Sequence, residues 1–568
     1  MRIVSVNVAH DSSVCSFVDG EIEFYCKEER LSRKKRCRDP FLALQTYLNQ
    51  NFGKIDHFLY LIPSGDPVEY FFYSKYIKKI FNIEAENFSR INHHNCHASV
   101  AFYNSGFEES LVFVIDRNGS IFSIDGYYGD QPEAIESESV YVASYPNNIF
   151  PIYKAFRIRN ESEKYYIKKK LIEQYKNINK DIDLKIQVNN SFGIVKVYEA
   201  ATTLIGQHAL ENGKTMGLAS YGEDLKYSSL FSDLDGSPLS NYFSEIHADW
   251  NISDSSCFYG YEDRVEQNIT KDNYQFYANK AKHVQIETQK EVLKLIQKHV
   301  EKTGIKNVCM VGGYGLNVVA NSFYIKNLPD VNFYFEPLSD DSGVSIGACM
   351  LKYRQETRDT NIYTLNNNFY HYYKKNEEVF GEKKSISNLI DKLIDQQIIA
   401  IFEGNPEAGP RALGHRSLLF DPRNKNGKEI VNTLKNREWY RPFAGIILED
   451  QFSNYFETMG LKKSQYMTIN FDAKPETKDY VPSIIHVDDT SRIQTVSEDN
   501  PFLFKLLSEF YKKTGCPMLL NTSFNLAGQP LVQTKQDAID FLTKSKNNKF
   551  FGGVYFVDDG TMLTNETD

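Results

Sequence analysis

Ile3-Val4-Ser5-Val6-Asn7-Val8-Ala9-His10-Asp11-Ser12-Ser13-Val14-Cys15-Ser16-Phe17-Val18, followed by Asp19-Gly20, decides how the first part of this chain folds. Ile3–Val8 alternates as a strand, the polar corner His10-Asp-Ser-Ser13 ends it, and Val14–Val18 reads as a second strand. Asp19-Gly20 supplies type I′ turn chemistry for a hairpin into Glu21–Tyr25. A related pattern recurs at Leu111–Ile115, Asp116-Arg-Asn-Gly119-Ser and Ile121–Ile124. Two copies of strand, acidic corner and strand, about a hundred residues apart, predict a duplicated domain. Each corner places a carboxylate at the end of a buried strand, where phosphate- and metal-handling groups sit.

Further along, Val292, Leu295, Ile296 and Val300 share one face of a helix between Val284 and Val300, which Thr303-Gly304 stops. Val308–Val311 is a short buried strand running into Gly312-Gly313-Tyr-Gly-Leu-Asn317, a glycine turn able to cradle a nucleotide. It lacks the third glycine of a dinucleotide fingerprint. Gly213-Lys-Thr215 is not a Walker A loop either, because His208 stands where its first glycine belongs. A helix ends near Arg354. Domain 1–355 is followed by a polar linker, 356–376, and by a second α/β domain, 377–568, with its own strand–loop–helix alternation. The lysine- and tyrosine-rich stretch 160–190 reads as an insertion, and Asp558–Asp568 as a solvated tail.

Within the second domain, the strand Ile398–Phe402 leads into Asn405-Pro-Glu-Ala-Gly-Pro-Arg411-Ala-Leu-Gly-His415-Arg416-Ser-Leu-Leu-Phe-Asp-Pro-Arg423. Arginine presents a rigid fork of donors suited to phosphate or carboxylate oxygens. Gly404, Gly409 and Gly414 allow backbone N–H groups close to an anion. Such a loop, in a protein of formal net charge −9, predicts a site for a small, densely anionic substrate. The same acidic balance argues against a broad nucleic-acid or anionic-membrane footprint.

The 568 residues exceed one hydrophobic core, and 41% hydrophobic with 24% charged residues is ordinary for a globular protein. No apolar run approaches the ~20 residues of a membrane span, and no signal-peptide core opens the chain, so a cytoplasmic protein with no membrane partner is expected. None of the eight cysteines forms a C-x-x-C pair, so they read as reduced core residues.

His93-His94-Asn-Cys-His97 sits where a short helix begins, and positions 93 and 97 project from one helical face. With Asp116 and Asp341 at strand ends, they compose a His₂Asp₂ set suited to a divalent Fe, Mn or Zn ion with an open position. Asp340 and His94 are neighbouring alternatives.

These residues bring the chain to a resemblance. Through His10-Asp-Ser-Ser, Glu28-Glu-Arg-Leu-Ser-Arg-Lys-Lys35, His93-His-x-x-His97-Ala-Ser and Gly213-Lys-Thr-Met-Gly-Leu-Ala-Ser-Tyr-Gly222, it resembles the NodU/CmcH family of O-carbamoyltransferases. Gly312-Gly-x-x-x-Asn317, Asp341-Ser-Gly343, Gly409-Pro-Arg-Ala-Leu-Gly-His-Arg-Ser417, Arg437-Glu-x-x-Arg-Pro-Phe443 and Asn521-Thr-Ser-Phe-Asn525 continue it. The resemblance implies an α/β protein: a duplicated actin/hexokinase-like ATPase-fold N-terminal domain plus a threonylcarbamoyl-adenylate-synthase-like C-terminal domain. It implies carbamoyl-AMP formation from carbamoyl phosphate and Mg-ATP, then transfer of the carbamoyl group to a substrate hydroxyl at an iron site.

Carried over by position, the metal ligands are His93, His97, Asp116 and Asp341, the family's Asp-x-Gly favouring Asp341 over Asp340. His10 and His97 serve the transfer, and Gly312, Gly313 and Asn317 approach the adenylate. Arg411, His415 and Arg416, completed by Lys435, Arg437 and Arg441, hold phosphates or carbamoyl phosphate, with Thr490, Arg492 and Asn521 beside them. The acceptor implied is a sugar or secondary-metabolite hydroxyl, or a hydroxymethylated pyrimidine in a nucleotide or DNA. A threonylcarbamoyl-transferring tRNA enzyme would share only the N-terminal motifs, and a non-catalytic ATP-binding regulator would need no His₂Asp₂ set.

Overall fold

The computed structural model describes residues 1–8, 10–61, 75–83, 85–123, 133–158, 163–178, 183–189, 192–238, 269–362 and 381–564. The chain divides into two compact units, Met1–Ile22 with Leu44–Thr364, and Glu23–Ala43 with Leu365–Asp568. The sequence reading placed 23–43 in the first domain. Of the expected linker, residues 363–376 lie outside the described residues, as do Ile124, Cys257 and 565–568 of the tail.

The first sheet contains β1 (Arg2–Asn7), β2 (Ser13–Val18), β3 (Glu21–Lys27), β4 (Ile55–Leu61) and β5 (Ala85–Arg90), in the order β3-β2-β1-β4-β5. β1 runs antiparallel to β2 and parallel to β4, and β4 is parallel to β5. Asp19 and Gly20 have φ of 48° and 99°, the two positive values that the type I′ hairpin requires. The second sheet contains β6 (Glu109–Ile115), β7 (Ile121–Ser123), β8 (Glu133–Ser144), β9 (Asn148–Ile158), β10 (Lys185–Asn189), β11 (Asn307–Val311) and β12 (Asn332–Phe335), with a main path β10-β9-β8-β6-β11-β12. Here β6 takes the place of β1, β8 and β9 those of β2 and β3, and β11 and β12 those of β4 and β5. The directions repeat as well: β6 is antiparallel to β8 and parallel to β11, which is parallel to β12. The duplication is therefore topological, and the fold is the α/β, actin/hexokinase-like arrangement.

Polar residues inside β1 and β2 explain where the functional turn lies. Asn7 Nδ2 donates to the Asp341 carbonyl at 2.9 Å, and Ser13 Oγ to the Ser342 carbonyl at 2.8 Å, so the buried corner grips the turn Asp341–Gly343. The helix Val344–Thr357 follows and packs against the helix His93–Ser105. A Cβ on Gly347 would sit 2.0 Å from the Cys96 carbonyl oxygen, so glycine is what permits this close approach. The stretch read as an insertion forms the helix Lys164–Ile178 and β10, and buries Ile167, Leu171, Ile186 and Val188 against Ala134, Phe156 and Ile158. The helix expected from Val284 starts at Tyr274, its apolar stripe continuing through Ala278 and Ala281 among buried polar residues; it stops at Gly304 as expected.

The second unit carries a ten-stranded mixed sheet. In chain order its strands are β13 (Glu382–Lys383), β14 (Ile398–Phe402), β15 (Arg416–Phe420), β16 (Ala444–Leu448), β17 (Phe456–Glu457), β18 (Asn470–Ala473), β19 (Thr490–Val496), β20 (Met518–Ser523), β21 (Phe551–Phe556) and β22 (Thr561–Leu563). Their spatial order is β13-β22-β21-β14-β15-β20-β16-β19-β18-β17. Register sets Asn521 beside Ala444 and Ala444 beside Arg492. The seven described cysteines are free thiols. No described helix is long and apolar enough to cross a membrane.

Gly312 has φ +87°, and a Cβ there would lie 2.5 Å from the Ile115 carbonyl oxygen. Gly312→Ala should therefore lower unfolding stability by about 1–3 kcal/mol, read from the denaturant midpoint. An unchanged midpoint would show that the backbone escapes the strain.

Candidate functional site: a buried His₂Asp₂ cluster and a buried arginine cluster

Asn92 begins the helix His93–Ser105 by accepting a hydrogen bond from Asn95 N at 3.0 Å, which fixes the first turn on which both histidines stand. Asp116 follows β6, and Asp341 stands in the turn gripped by Asn7 and Ser13. One ligand atom from each of His93, His97, Asp116 and Asp341 lies within 4.8 Å of the others, and all four residues are buried. His93 Nε2 is 3.1 Å from His97 Nε2, 3.4 Å from Asp116 Oδ2 and 3.4 Å from Asp341 Oδ1. His97 Nε2 is 3.6 Å from the same Asp341 oxygen.

A metal about 2.0–2.2 Å from each ligand places tetrahedral ligands about 3.3–3.6 Å apart, so these spacings fit a divalent ion. The donors themselves fit: two neutral imidazoles and two carboxylates suit a borderline cation with a position left open. Without a cation the charges must compensate one another. Burial opposes a charged His93, but the Asp341 and Asp116 carboxylates raise its pKa to about 10. Burial likewise works to raise Asp116, and the His93 hydrogen bond overrides it, lowering the carboxyl to about 2.

The neighbouring alternatives point elsewhere. Asp340 accepts from Ser342 N at 3.1 Å and caps its own turn. His94 Nδ1 meets Ser139 Oγ at 2.7 Å, and burial, then Lys154, hold its pKa well below 6.5. Gly313 N donates to Asp116 Oδ1 at 3.2 Å, leaving Oδ2 toward His93, so this glycine orients a ligand of the cluster. Asn317 caps the helix Val318–Asn327 through Ala320 N and pairs with Gln285, so its amide has structural partners. His10 lies at the cluster's edge, its Nε2 3.5 Å from Asp341 Oδ2 and its Nδ1 3.0 Å from Asp11 Oδ2. The Asp341 carboxylate is the main cause that raises the His10 pKa to about 9.

In the second unit, Arg411, Arg437, Arg441 and Arg492 come together. Burial, then the charges of Arg411, Arg437 and Arg441, push Arg492 well below its ordinary pKa. Burial, then Arg441, does the same to Arg437, with Arg411 adding to it. The Nε atoms of Arg437, Arg441 and Arg492 have no hydrogen-bond partner. A guanidinium does not shed its proton in a protein, so the repulsion among these groups favours a bound polyanion. Lys435, lowered by burial and by Arg437, Arg441 and Lys35, donates to Asn525 and Ser523, including both of their carbonyls.

Other predicted residues hold the loop. Arg416 donates to the carbonyls of Glu403, Gly404, His415 and Gln533 and lies over the Phe402 ring. His415 Nδ1 meets the Asn405 carbonyl at 2.8 Å. Asn521 donates to the Ala412 carbonyl at 3.1 Å, while its Oδ1 is buried without a partner. Thr490 donates to Asp488 at 2.7 Å. Sequence reasoning missed Glu407, whose Oε1 accepts from the backbone N–H groups of Leu413, His415 and Arg416 and so shapes the arginine loop. A lone carboxylate inside a basic loop was the available signal. Sequence reasoning also missed the roles of Ser120, quoted only as part of the Asp116 corner, and of Glu136, which bond to the N-terminus of the helix His93–Ser105.

Residues 41–350 match the family described as Carbamoyltransferase N-terminus, and residues 390–558 the family described as Carbamoyltransferase C-terminus. An uncharacterized protein of Methanocaldococcus jannaschii is 28% identical, with 98% of this chain and 99% of that one aligned. Nodulation protein NolO of Bradyrhizobium diazoefficiens is 26% identical over 80% of this chain and 76% of its own. Nodulation protein U of Azorhizobium caulinodans is 32% identical over 39% of this chain and 40% of its own.

The purified protein should carry about one divalent transition-metal ion per chain. Elemental analysis should find most of it lost in His97→Ala and kept in His94→Ala; equal loss from both would exclude the cluster as the binding site. Pyrophosphate should raise the melting temperature by roughly 5 °C at saturation. Arg492→Met should abolish that shift while raising the ligand-free melting temperature, because one repelling buried charge is gone. A full shift in Arg492→Met would place the anion elsewhere.

Proposed function

The chain belongs to the carbamoyltransferase family and is a transferase; we propose that it forms carbamoyl-AMP from carbamoyl phosphate and Mg-ATP and passes the carbamoyl group to a substrate hydroxyl. The observation that carries this reading is the pair of buried sites of opposite character, His₂Asp₂ in one unit and clustered arginines in the other.

Adenylate formation brings two polyanions into reaction. Water cleaves carbamoyl phosphate to carbamate and inorganic phosphate, a carbamate oxygen attacks the α-phosphorus of ATP, and pyrophosphate leaves. Arg411, Arg437, Arg441 and Arg492 offset repulsion between the reactants and stabilise negative charge growing on the leaving group. Glu407 and Arg416, through their backbone hydrogen bonds, keep the loop that bears Arg411 in shape. Asn521 donates to the carbonyl of Ala412, next to Arg411 in the chain, and keeps a buried Oδ1 without a partner.

For the transfer step His93, His97, Asp116 and Asp341 would hold a divalent ion, iron being the resemblance's expectation. Bound there, such an ion supplies Lewis-acid polarisation of a carbonyl. Asn7 and Ser13 keep Asp341 in place, and Gly313 keeps Asp116 turned toward His93. At the cluster's edge, His10 Nε2 lies 3.5 Å from Asp341 Oδ2. Held by Asp11, the imidazole then presents Nε2 to accept the hydroxyl proton as the oxygen attacks the carbamoyl carbon and AMP leaves.

The acceptor proposed is a hydroxyl of a sugar or secondary metabolite, or of a hydroxymethylated pyrimidine in a nucleotide or DNA. The full chain, given carbamoyl phosphate, MgATP and a suitable alcohol, should yield AMP, pyrophosphate and a product heavier by one carbamoyl group in mass spectrometry. His97→Ala should abolish transfer while AMP-forming activation continues. Release of ADP in place of AMP would overturn the scheme.

A further inference from the structure

Behind the metal helix lies a carboxylate that the reaction does not touch. Glu136 on β8 is wholly buried, as is its partner Lys154 on β9, and the two form an ion pair. The other carboxylate oxygen, Glu136 Oε2, accepts from Asn92 Nδ2 at 3.1 Å and from Ser120 N at 3.0 Å. Asn92 is the N-cap of the helix that bears His93 and His97. Ser120 closes the loop that begins at Asp116, and its Oγ accepts from His93 N at 3.1 Å. One oxygen thus joins the two segments that deliver three of the four cluster residues.

The surroundings supply further hydrogen-bond partners. Lys154 gives its remaining protons to Ser139 Oγ and Tyr141 OH, and Tyr141 in turn donates to Asn95 in the first turn of the same helix. Tyr175, from the helix Lys164–Ile178, reaches Glu136 Oε1 at 3.4 Å. A cavity of about 570 Å³ beside them is walled mainly by apolar residues such as Phe122, Ile172 and Leu184. Burial in such surroundings makes a lone charge costly, so Glu136 and Lys154 require each other.

We infer that Glu136 is a positioning residue for the metal centre: through Asn92 and Ser120 it holds the histidine helix and the Asp116 loop at ligand distance, with Lys154 and Tyr175 bound to its other oxygen. This rests on the His₂Asp₂ cluster being the metal site. It also gives the lysine- and tyrosine-rich stretch 160–190 a role, since Tyr175 comes from it. Outer hydrogen bonds of this kind set metal affinity by about 10–100-fold.

Two charge-neutral pairs separate positioning from stability. Glu136→Gln with Lys154→Met keeps an oxygen acceptor for Asn92 and Ser120; Glu136→Met with Lys154→Met removes it. Co(II) titrated into the metal-free full chain, followed by its visible absorption, reads both affinity and ligand geometry. The Gln/Met protein should bind within about threefold of wild type, and the Met/Met protein about 10–100-fold more weakly, with an altered spectrum at a similar melting temperature. Should Met/Met fail to fold, Asn92→Ala and Ser120→Ala, each breaking one link, should weaken Co(II) binding in the same direction. Met/Met or single-link variants binding as tightly as wild type would overturn this inference alone, as would equal loss in Gln/Met. No Co(II) binding by wild type would overturn the metal reading with it.

Discussion

Two imidazoles and two carboxylates converge inside a protein core, away from the water that would solvate their charges. Several buried polar residues and glycines of the first unit support that convergence. A buried charge must be matched by an opposite one, and here the two carboxylates raise the pKa of His93, whose ring nitrogen faces a second imidazole at 3.1 Å. Two ring nitrogens that close, with two carboxylates beside them, describe the ligand shell of a cation more completely than they describe a set of mutual hydrogen bonds. The supports are of several kinds: serine and asparagine side chains inside β1 and β2, a glycine where two helices cross, and a glycine N–H that turns Asp116. Each is small or polar at a place where an apolar residue would pack more simply.

The second unit poses the inverse problem. Its arginines crowd together, and the Nε atoms of Arg437, Arg441 and Arg492 have no hydrogen-bond partner; a bound anion, as proposed, would offset their repulsion. Arginine suits this use because it keeps its charge under repulsion, where lysine would lose its proton. Lys435 shows the contrast: buried beside the arginines and lowered well below its ordinary pKa, it is surrounded by the oxygens of Ser523 and Asn525. The two buried clusters, one cationic and one of carboxylates and imidazoles, are the two electrostatic environments that the proposed activation and transfer of a carbamoyl group would require.

Much of this was readable in one dimension. The hairpin at Asp19-Gly20, the buried strands Ile398–Phe402 and Val308–Val311, and the helix beginning at His93 follow from local rules of turn chemistry, alternation and capping. The choice of His93 with His97 follows from helical spacing. Roles assigned to the basic loop were less legible. Arg411 and Arg416 look alike in sequence, yet Arg416 lies on β15 with its guanidinium among backbone carbonyls, while Arg411 joins the cluster. Strand position and burial decide between them, and neither is a property of the residue type.

The sequence by itself determined the duplicated strand–corner–strand plan, the turn and capping residues, and the inventory of ligating and cationic side chains. These depend on interactions among near neighbours, a few residues apart. Tertiary structure decided which aspartate of the Asp340-Asp341 pair faces the histidines, which arginines gather, and that Glu136 ties Asn92 to Ser120. Those outcomes depend on contacts between residues tens to hundreds of positions apart, such as Asn7 with Asp341, whose existence only the packing of strands and helices can settle.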